Sequence, residues 1–261
     1  MTIDQLNAMK GRDEKFSSIT AYDFSFAKLI DEAGIEVVLV GDSLGNVVQG
    51  RDTTIPVSID EMAYHTAAVK RGIVDSLLIS DMPFMSYATP TDAMRNAAIL
   101  MQAGAQMVKL EGGEWLEETV YQLTERGLPV CAHLGLTPQS VHKIGGFKIQ
   151  GREPQAAAKT VADAQLLEQA GAQLLVIECV PASLGKILAS ELNMPVIGIG
   201  AGPDTDAQIL VLYDMLGISP KLPRFSKDFL QDTDSVITAL KNYAKQVRNG
   251  AFPGPEHSFF E

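Results

Sequence analysis

Short runs of apolar, β-rich sequence recur along the chain and alternate with longer segments of a different pattern. Their length and their content of Val, Ile and Leu are typical of strands. We therefore predict eight strands, at residues 16–21, 37–41, 77–80, 107–110, 129–133, 174–179, 195–199 and 209–213.

Most of the intervening segments repeat their apolar residues at helical spacing. We predict helices at residues 24–33, 59–70, 91–103, 115–126, 155–170 and 183–192, and a last amphipathic helix at 229–251. Glycines in "EAGIE", "QAGAQ" and "ERGLP" mark helix ends. A regular alternation of strand and helix predicts a parallel sheet.

Eight strand and helix units close best as an α/β fold of the (β/α)8 TIM barrel type. The alternative, a doubly wound open sheet, usually carries a Gly-rich phosphate loop after its first strand, and "AYDFS" is not one. With 261 residues and 46% hydrophobic content, the chain fits a single barrel domain, residues 1–261, with a short C-terminal tail.

Composition narrows the range of partners. A formal net charge of −11 argues against nucleic acid or an anionic membrane, since both require clustered Lys and Arg. Cys131 and Cys179 lie in apolar runs, where a free thiol acts as a small hydrophobe. The N-terminal residues lack the apolar core of a signal peptide, and we expect a cytoplasmic protein.

Candidate catalytic residues are sought where the predicted strands end, because barrel enzymes have their active sites at the C-terminal ends of the strands. Asp42 and Ser43 follow the second run, Asp81 the third, and Lys109 and Glu111 end the fourth. Three carboxylates suit a hard cation, above all Mg²⁺. The alternatives are that Asp42 and Asp81 cap the following helices, and that Lys109 and Glu111 are a structural pair.

Two further polar residues stand at strand ends. Glu178 ends the sixth run, where a carboxylate is costly to bury, and it is our candidate for a general base. His133 follows the fifth run and is expected to support the site by hydrogen bonding, with direct proton transfer as the alternative.

Eight motifs in order resemble those of one family, the ketopantoate hydroxymethyltransferases. They are "GDSLGNVVQG", "DMPFMSY", "KLEGG", "HLGLTPQS", "GGFKIQGR", "IECVP", "IGIGAG" and "PRFSKDF", and they extend over most of the chain. The resemblance implies a barrel related to phosphoenolpyruvate mutases and isocitrate lyases. It also implies transfer of a hydroxymethyl group from 5,10-methylenetetrahydrofolate to 3-methyl-2-oxobutanoate through an enolate that Mg²⁺ stabilises, the first step of pantothenate biosynthesis.

Roles follow from the resemblance position by position. It implies one Mg²⁺ per subunit at Asp42, Asp81 and Glu111 and Glu178 as the proton acceptor. Substrate contacts fall on Asp42, Ser43, Asp81 and Lys109, and we add His133 to them. The resemblance also implies a cytoplasmic homodecamer.

The folate contacts are not assigned by any motif. Lys143, Lys148 and Arg152 in the long loop at 136–153 are candidates for an anion-binding rim, and the alternative is a solvated loop with ordinary charges. Two other functions also remain open: a Mg²⁺-dependent 2-oxo acid lyase or mutase of the same superfamily, and a catalytically silent barrel that serves as a binding module.

Overall fold

The computed structural model describes residues 1–260, and over that range eight parallel strands close into one barrel in chain order. The predicted (β/α)8 barrel is therefore confirmed. The strands are β1 (Phe16–Thr20), β2 (Val37–Val40), β3 (Leu77–Asp81), β4 (Met107–Glu111), β5 (Val130–Gly135), β6 (Leu174–Glu178), β7 (Val196–Ile199) and β8 (Ala207–Leu210). Pairing of β1 with β8, with Phe16 opposite Ala207, completes the ring.

Helices surround the barrel and close its lower end. They are α1 (Ile3–Gly11), α2 (Phe24–Glu32), α3 (Leu44–Val47), α4 (Ile59–Lys70), α5 (Pro90–Gln102), α6 (Glu117–Thr124), α7 (Val141–Ile144), α8 (Pro154–Gln169), α9 (Ala182–Glu191), α10 (Leu212–Met215) and α11 (Val236–Arg248). None of the helices in residues 1–260 is long and apolar enough to cross a bilayer.

Several helices begin where a side chain can accept from the free backbone N–H groups of the first turn. Asp23 accepts from Ser25 N and Phe26 N at the start of α2, and Ser58 forms a capping box with Glu61 in α4. The six predicted barrel helices agree with the structure to within about two residues at each end.

Alternation along each strand divides the apolar residues between two layers. One set faces the barrel axis and packs into an inner core with Leu6 of α1, which fills the lower end; it includes Phe16, Val37, Leu39, Leu77, Ile79, Met107, Cys131, Leu174, Val176, Ile197 and Ile209. The alternate residues face the helices and form the larger outer core. Both cysteines are free and buried, as expected.

The last helix joins the two strands that close the barrel. The buried hydroxyl of Tyr243 in α11 donates to Ser18 O at 2.7 Å or to Gln208 O at 2.9 Å, and those carbonyls belong to β1 and β8. One side chain thus binds the first and last strands together.

Two predictions near the C-terminus are wrong. The strand predicted at 209–213 begins earlier and ends at Leu210, because Leu212 to Met215 turn into α10. The helix predicted from residue 229 begins only at Val236. Asp228 accepts from Leu230 N and Gln231 N in a turn, and Ser235 caps the helix through Thr238 N, so the chain before Val236 is not helical.

Candidate active site at the barrel mouth

A cavity of about 980 Å³ opens at the C-terminal ends of the strands. All seven residues that the sequence singled out for the site line it: Asp42, Ser43, Asp81, Lys109, Glu111, His133 and Glu178. They come from five different strands or strand ends, so the closed barrel is what brings them together.

Lys109 lies at the centre of the polar set. Its Nζ is 2.8 Å from Asp81 Oδ1, 3.6 Å from Glu111 Oε1 and 3.1 Å from His133 Nδ1. Strand register explains this arrangement, since Asp81 is opposite Lys109 and Glu111 is opposite His133 in neighbouring strands. The ammonium is buried, and the surrounding carboxylates raise the pKa of Lys109 although burial opposes the charge.

Asp42 and Asp81 do not cap helices with their side chains. Asp42 Oδ2 accepts from Gln139 Nε2 at 2.9 Å, and Asp81 Oδ2 accepts from the backbone N–H of Asp42 at 3.0 Å. Neither contact is with a free N–H of a helical first turn, and Ser43 at the N-cap of α3 makes no side-chain cap. The helix-capping alternative for these two aspartates is therefore wrong.

Gly41 permits the close approach of these groups. A Cβ at this position would lie 2.8 Å from Ser43 Oγ and 3.5 Å from Asp81 Oδ2. The Ser43 hydroxyl pairs with the Tyr22 hydroxyl at 2.9 Å and also lines the cavity. Any larger residue at Gly41 would displace groups of the site.

The charge of this cluster is unbalanced. Asp42, Asp81 and Glu111 against Lys109 leave three negative charges and one positive, a formal charge of −2 in a buried position. Burial, together with repulsion from Asp81 and Glu111, raises the pKa of Asp42 well above its ordinary range, and burial raises that of Asp81 despite Lys109. A divalent cation would neutralise this excess.

The donor set fits Mg²⁺ in composition but is not a closed cage. Among residues 1–260, no three His, Cys, Asp or Glu side chains converge as a ready three-ligand site. Mg²⁺ commonly takes only one or two protein carboxylates and fills its other positions with water or substrate, so a partly open carboxylate set suits it.

His133 connects the cluster to Glu178. Its Nε2 lies 3.3 Å from Glu178 Oε2, and its Nδ1 lies 3.1 Å from both Lys109 Nζ and Glu111 Oε1. Lys109 Nζ can only donate to Nδ1, whereas the Glu111 carboxylate can only accept from it, so the protonation of Nδ1 sets which of the two it bonds. Burial and Lys109 oppose a second proton, but the Glu111 and Glu178 carboxylates outweigh them and raise the pKa of His133.

The backbone around Glu178 is tightly constrained. Leu136 N donates to Glu178 O at 2.8 Å, and a Cβ at the facing Gly135 would lie 2.2 Å from that oxygen. The next residue, Cys179, has φ of +48°, a conformation that disfavours a side chain by about 1–3 kcal/mol. The strand end and the neighbouring loop therefore fix the backbone of Glu178 at the edge of the cavity.

Sequence reasoning missed three buried polar residues of the mouth. Gln139 donates from Nε2 to Asp42 Oδ2 and Met82 O, and its backbone N–H donates to Glu111 Oε2. Tyr87 donates to Gln139 Oε1, and Asp214 lines the cavity from α10. All three lie outside the strands, where periodicity does not tell which side chain turns inward.

The predicted basic rim is only partly assembled. Lys148 and Arg152 line the cavity, whereas Lys143 is not among the described residues that do so. Lys221 and Arg224, which the sequence analysis did not single out, also line it.

Fold and site together define a (β/α)8 barrel of the kind that places an acidic, cation-ready site at the C-terminal face. Solved structures share this fold: phosphonopyruvate hydrolase in complex with oxalate and Mg²⁺ is 17% identical, with a TM-score of 0.60 over 81% of each chain. For 2,3-dimethylmalate lyase, a member of the PEP mutase/isocitrate lyase superfamily, the identity is 13% and the TM-score 0.58, over 83% of this chain and 81% of that one.

Sequence comparison is more specific. The profile of ketopantoate hydroxymethyltransferase matches residues 1–255. The 3-methyl-2-oxobutanoate hydroxymethyltransferase of Idiomarina loihiensis is 60% identical over 99% of this chain and 97% of its own length, and that of Shewanella halifaxensis is 58% identical over 99% and 98%. The chain belongs to the ketopantoate hydroxymethyltransferase family.

Proposed function

We propose that this protein transfers a hydroxymethyl group from 5,10-methylenetetrahydrofolate to 3-methyl-2-oxobutanoate and so forms ketopantoate, a step of pantothenate biosynthesis. The observation that carries the proposal is a buried ammonium among three carboxylates at the mouth of a barrel that belongs to this family. Family membership argues against the rival reading as a lyase or mutase, and the filled polar positions argue against a silent barrel.

Asp42, Asp81 and Glu111 would hold one Mg²⁺ per subunit, either directly or through water. When bound, the cation supplies a Lewis acid for the negative charge that develops on the keto oxygen of the substrate. The support for this assignment is the formal charge of −2 in a buried set of oxygen ligands.

The substrate anion is bound by groups of this chain at the same place. Lys109 supplies a positive charge for the 2-oxo acid, and Ser43 supplies a hydroxyl at the cavity wall. His133 is proposed to act on the substrate mainly through its neighbours, because its two ring nitrogens already face Lys109, Glu111 and Glu178. Gln139 holds the Asp42 carboxylate in position from above.

Glu178 acts as the general base. It removes the proton from C3 of the substrate, the C–H electron pair moves into the enolate, and the negative charge develops on the keto oxygen near Lys109. His133 Nε2 lies 3.3 Å from Glu178 Oε2 and so limits where that carboxylate can lie. C3 then bonds to the methylene carbon of the folate iminium as its C=N π pair moves onto the folate nitrogen. Water replaces that nitrogen at the carbon, so its oxygen becomes the product hydroxyl, and tetrahydrofolate leaves with the C–N electron pair and a proton.

Folate polyglutamates are anionic, and Lys148 and Arg152 are proposed to attract them at the rim of the cavity. We further propose that the chain assembles as a homodecamer in the cytoplasm, as the family resemblance implies.

The reaction is tested by NMR with the purified protein, 3-methyl-2-oxobutanoate and methylenetetrahydrofolate. Ketopantoate and tetrahydrofolate should appear in equal amounts, stop with EDTA and resume with excess Mg²⁺. Asp81→Asn should lose at least about 100-fold in rate, as removal of a preorganised charged group commonly does. The exposed Asp232→Asn makes the same change in charge and should match the wild type. Cleavage of another 2-oxo acid without folate would identify a lyase and refute the proposal.

A further inference from the structure

Asp214 is an acidic residue of the mouth that the proposed reaction does not use. It belongs to the short helix α10 directly after β8, it is only 7% exposed, and it lines the cavity. The Ser219 hydroxyl is near enough to favour its charged form, and within residues 1–260 no Lys, Arg or His side chain forms an ion pair with it.

Such a residue needs an explanation, because a buried carboxylate without a cation or several donors loses its hydration with little in return. Burial accordingly raises the pKa of Asp214. One serine hydroxyl leaves most of the acceptor capacity of this cavity-lining carboxylate unused. The missing donors are therefore expected to come from a ligand.

The two oxygens of a carboxylate suit two parallel N–H donors, the pattern that Arg presents to Asp in proteins. The pterin ring of a folate has the same pattern, with its 2-amino group beside N3–H. We propose that Asp214 binds the pterin ring of the folate co-substrate through this edge. The inference rests on the proposed function, because it names the residue that would recognise the second substrate.

The surroundings of Asp214 fit the rest of that ligand. Val47, Leu210 and Val211 line the same cavity and offer apolar contact to a flat ring. Further along the same segment, Lys221 and Arg224 line the cavity and can attract the carboxylates of the glutamate tail. The guanidinium of Arg224 lies over the Phe259 ring, 5.5 Å from its centroid. One stretch of chain thus provides Asp214 for the N–H donors of the pterin ring, and Lys221 and Arg224 for the carboxylates of the glutamate tail.

The position is also suitable for the reaction. Asp214 lies within electrostatic range of Tyr22, whose hydroxyl pairs with Ser43 Oγ at 2.9 Å. Ser43 is a proposed contact of the 2-oxo acid. A pterin held at Asp214 would therefore lie next to that substrate.

The test compares the wild type with Asp214→Asn by calorimetry. The ligands are tetrahydrofolate and an analogue in which a methyl group replaces the 2-amino group. Because hydrogen bonds to a charged partner are involved, the wild type should prefer tetrahydrofolate by about 10- to 100-fold. Asp214→Asn should lose a similar factor for tetrahydrofolate and should no longer distinguish the two ligands. Asp232→Asn, an exposed residue with the same change in charge, should behave as the wild type.

Hydrogen–deuterium exchange at C3 of 3-methyl-2-oxobutanoate separates the possible failures, since it requires no folate. Exchange that continues in Asp214→Asn would show an intact keto-acid site, so that the loss of tetrahydrofolate binding is specific. If Asp214→Asn discriminates between the two folates as the wild type does, or loses exchange together with folate binding, the inference is wrong. A wild type that neither exchanges nor binds tetrahydrofolate would instead refute the proposed function.

Discussion

At the scale of single residues, the site places negative charge where the protein can least solvate it. Asp42 is 3% exposed, and burial with repulsion from Asp81 and Glu111 raises its pKa. The cost of this arrangement falls on the free protein, because Lys109 offsets only part of the negative charge. Function and stability are expected to conflict at such a position.

Asp42→Asn is therefore predicted to stabilise the metal-free protein, by about 1–2 kcal/mol, while abolishing its response to Mg²⁺. The asparagine keeps an oxygen that can accept from Gln139, but it removes one of the repelling charges. Thermal unfolding in EDTA and in excess Mg²⁺ measures both effects, because a cation that binds only the folded state raises the melting temperature. Equal stabilisation of variant and wild type by Mg²⁺ would contradict the assignment of this carboxylate.

At the scale of elements, the limits of a helix could be predicted where nearby residues in the sequence set them. Helix α4 begins at a capping box and was predicted with its observed limits, Ile59 and Lys70. The C-terminal helix was predicted too long, because turns and the Ser235 cap at its start compete with an apolar pattern that continues into them. The inward residues Gln139 and Asp214 lie in a three-residue 3-10 helix, Pro138–Ser140, and in the four-residue helix α10, both too short for periodicity to show a face.

The contacts of Asp31 between α2 and β3 predict that the stability of the protein depends on pH. The side chain of Asp31, in the last turn of α2, accepts from the backbone N–H groups of Val74, Asp75 and Ser76, which lead into β3. Burial opposes the charge, but these bonds outweigh it and lower the pKa of Asp31. A lowered pKa means stability that is present above the unfolded pKa of about 3.9 and is lost as pH falls below it.

Asp31→Asn should therefore cost about 1–2 kcal/mol at pH 7, a value reduced for partial exposure, and the difference from the wild type should shrink toward pH 3. Urea unfolding at several pH values measures it. A constant difference across this range would mean that the charge of Asp31 contributes nothing and that only its shape matters.

At the scale of the whole molecule, the barrel was predictable because eight strands alternate with helices along the chain. The convergence of the candidate residues at one cavity was predictable because barrel enzymes bind their substrates at the C-terminal ends of the strands. Asp81, Lys109 and Glu111 were identified for this reason. The relative depth of these residues and their contacts with His133 depend on the register between strands, which the sequence does not encode locally.

Assembly also belongs to this scale. If the protein forms the proposed decamer, ten chains of 28.1 kDa give 10 × 28.1 = 281 kDa. Sedimentation equilibrium at several protein concentrations should return that mass. A value near that of one chain, under conditions where ketopantoate is still formed, would refute the decamer and leave the reaction untouched.

Glu178 is proposed to remove the C3 proton of a 2-oxo acid held at the carboxylate cluster. Exchange of that proton in D₂O, followed by NMR with Mg²⁺ and without folate, tests it directly in the wild type and in Glu178→Gln. We predict exchange in the wild type and a loss of about 100-fold or more in Glu178→Gln, with substrate binding retained. Near-normal exchange in the variant would contradict the account and move the base to another residue of the mouth, with His133 the next to test.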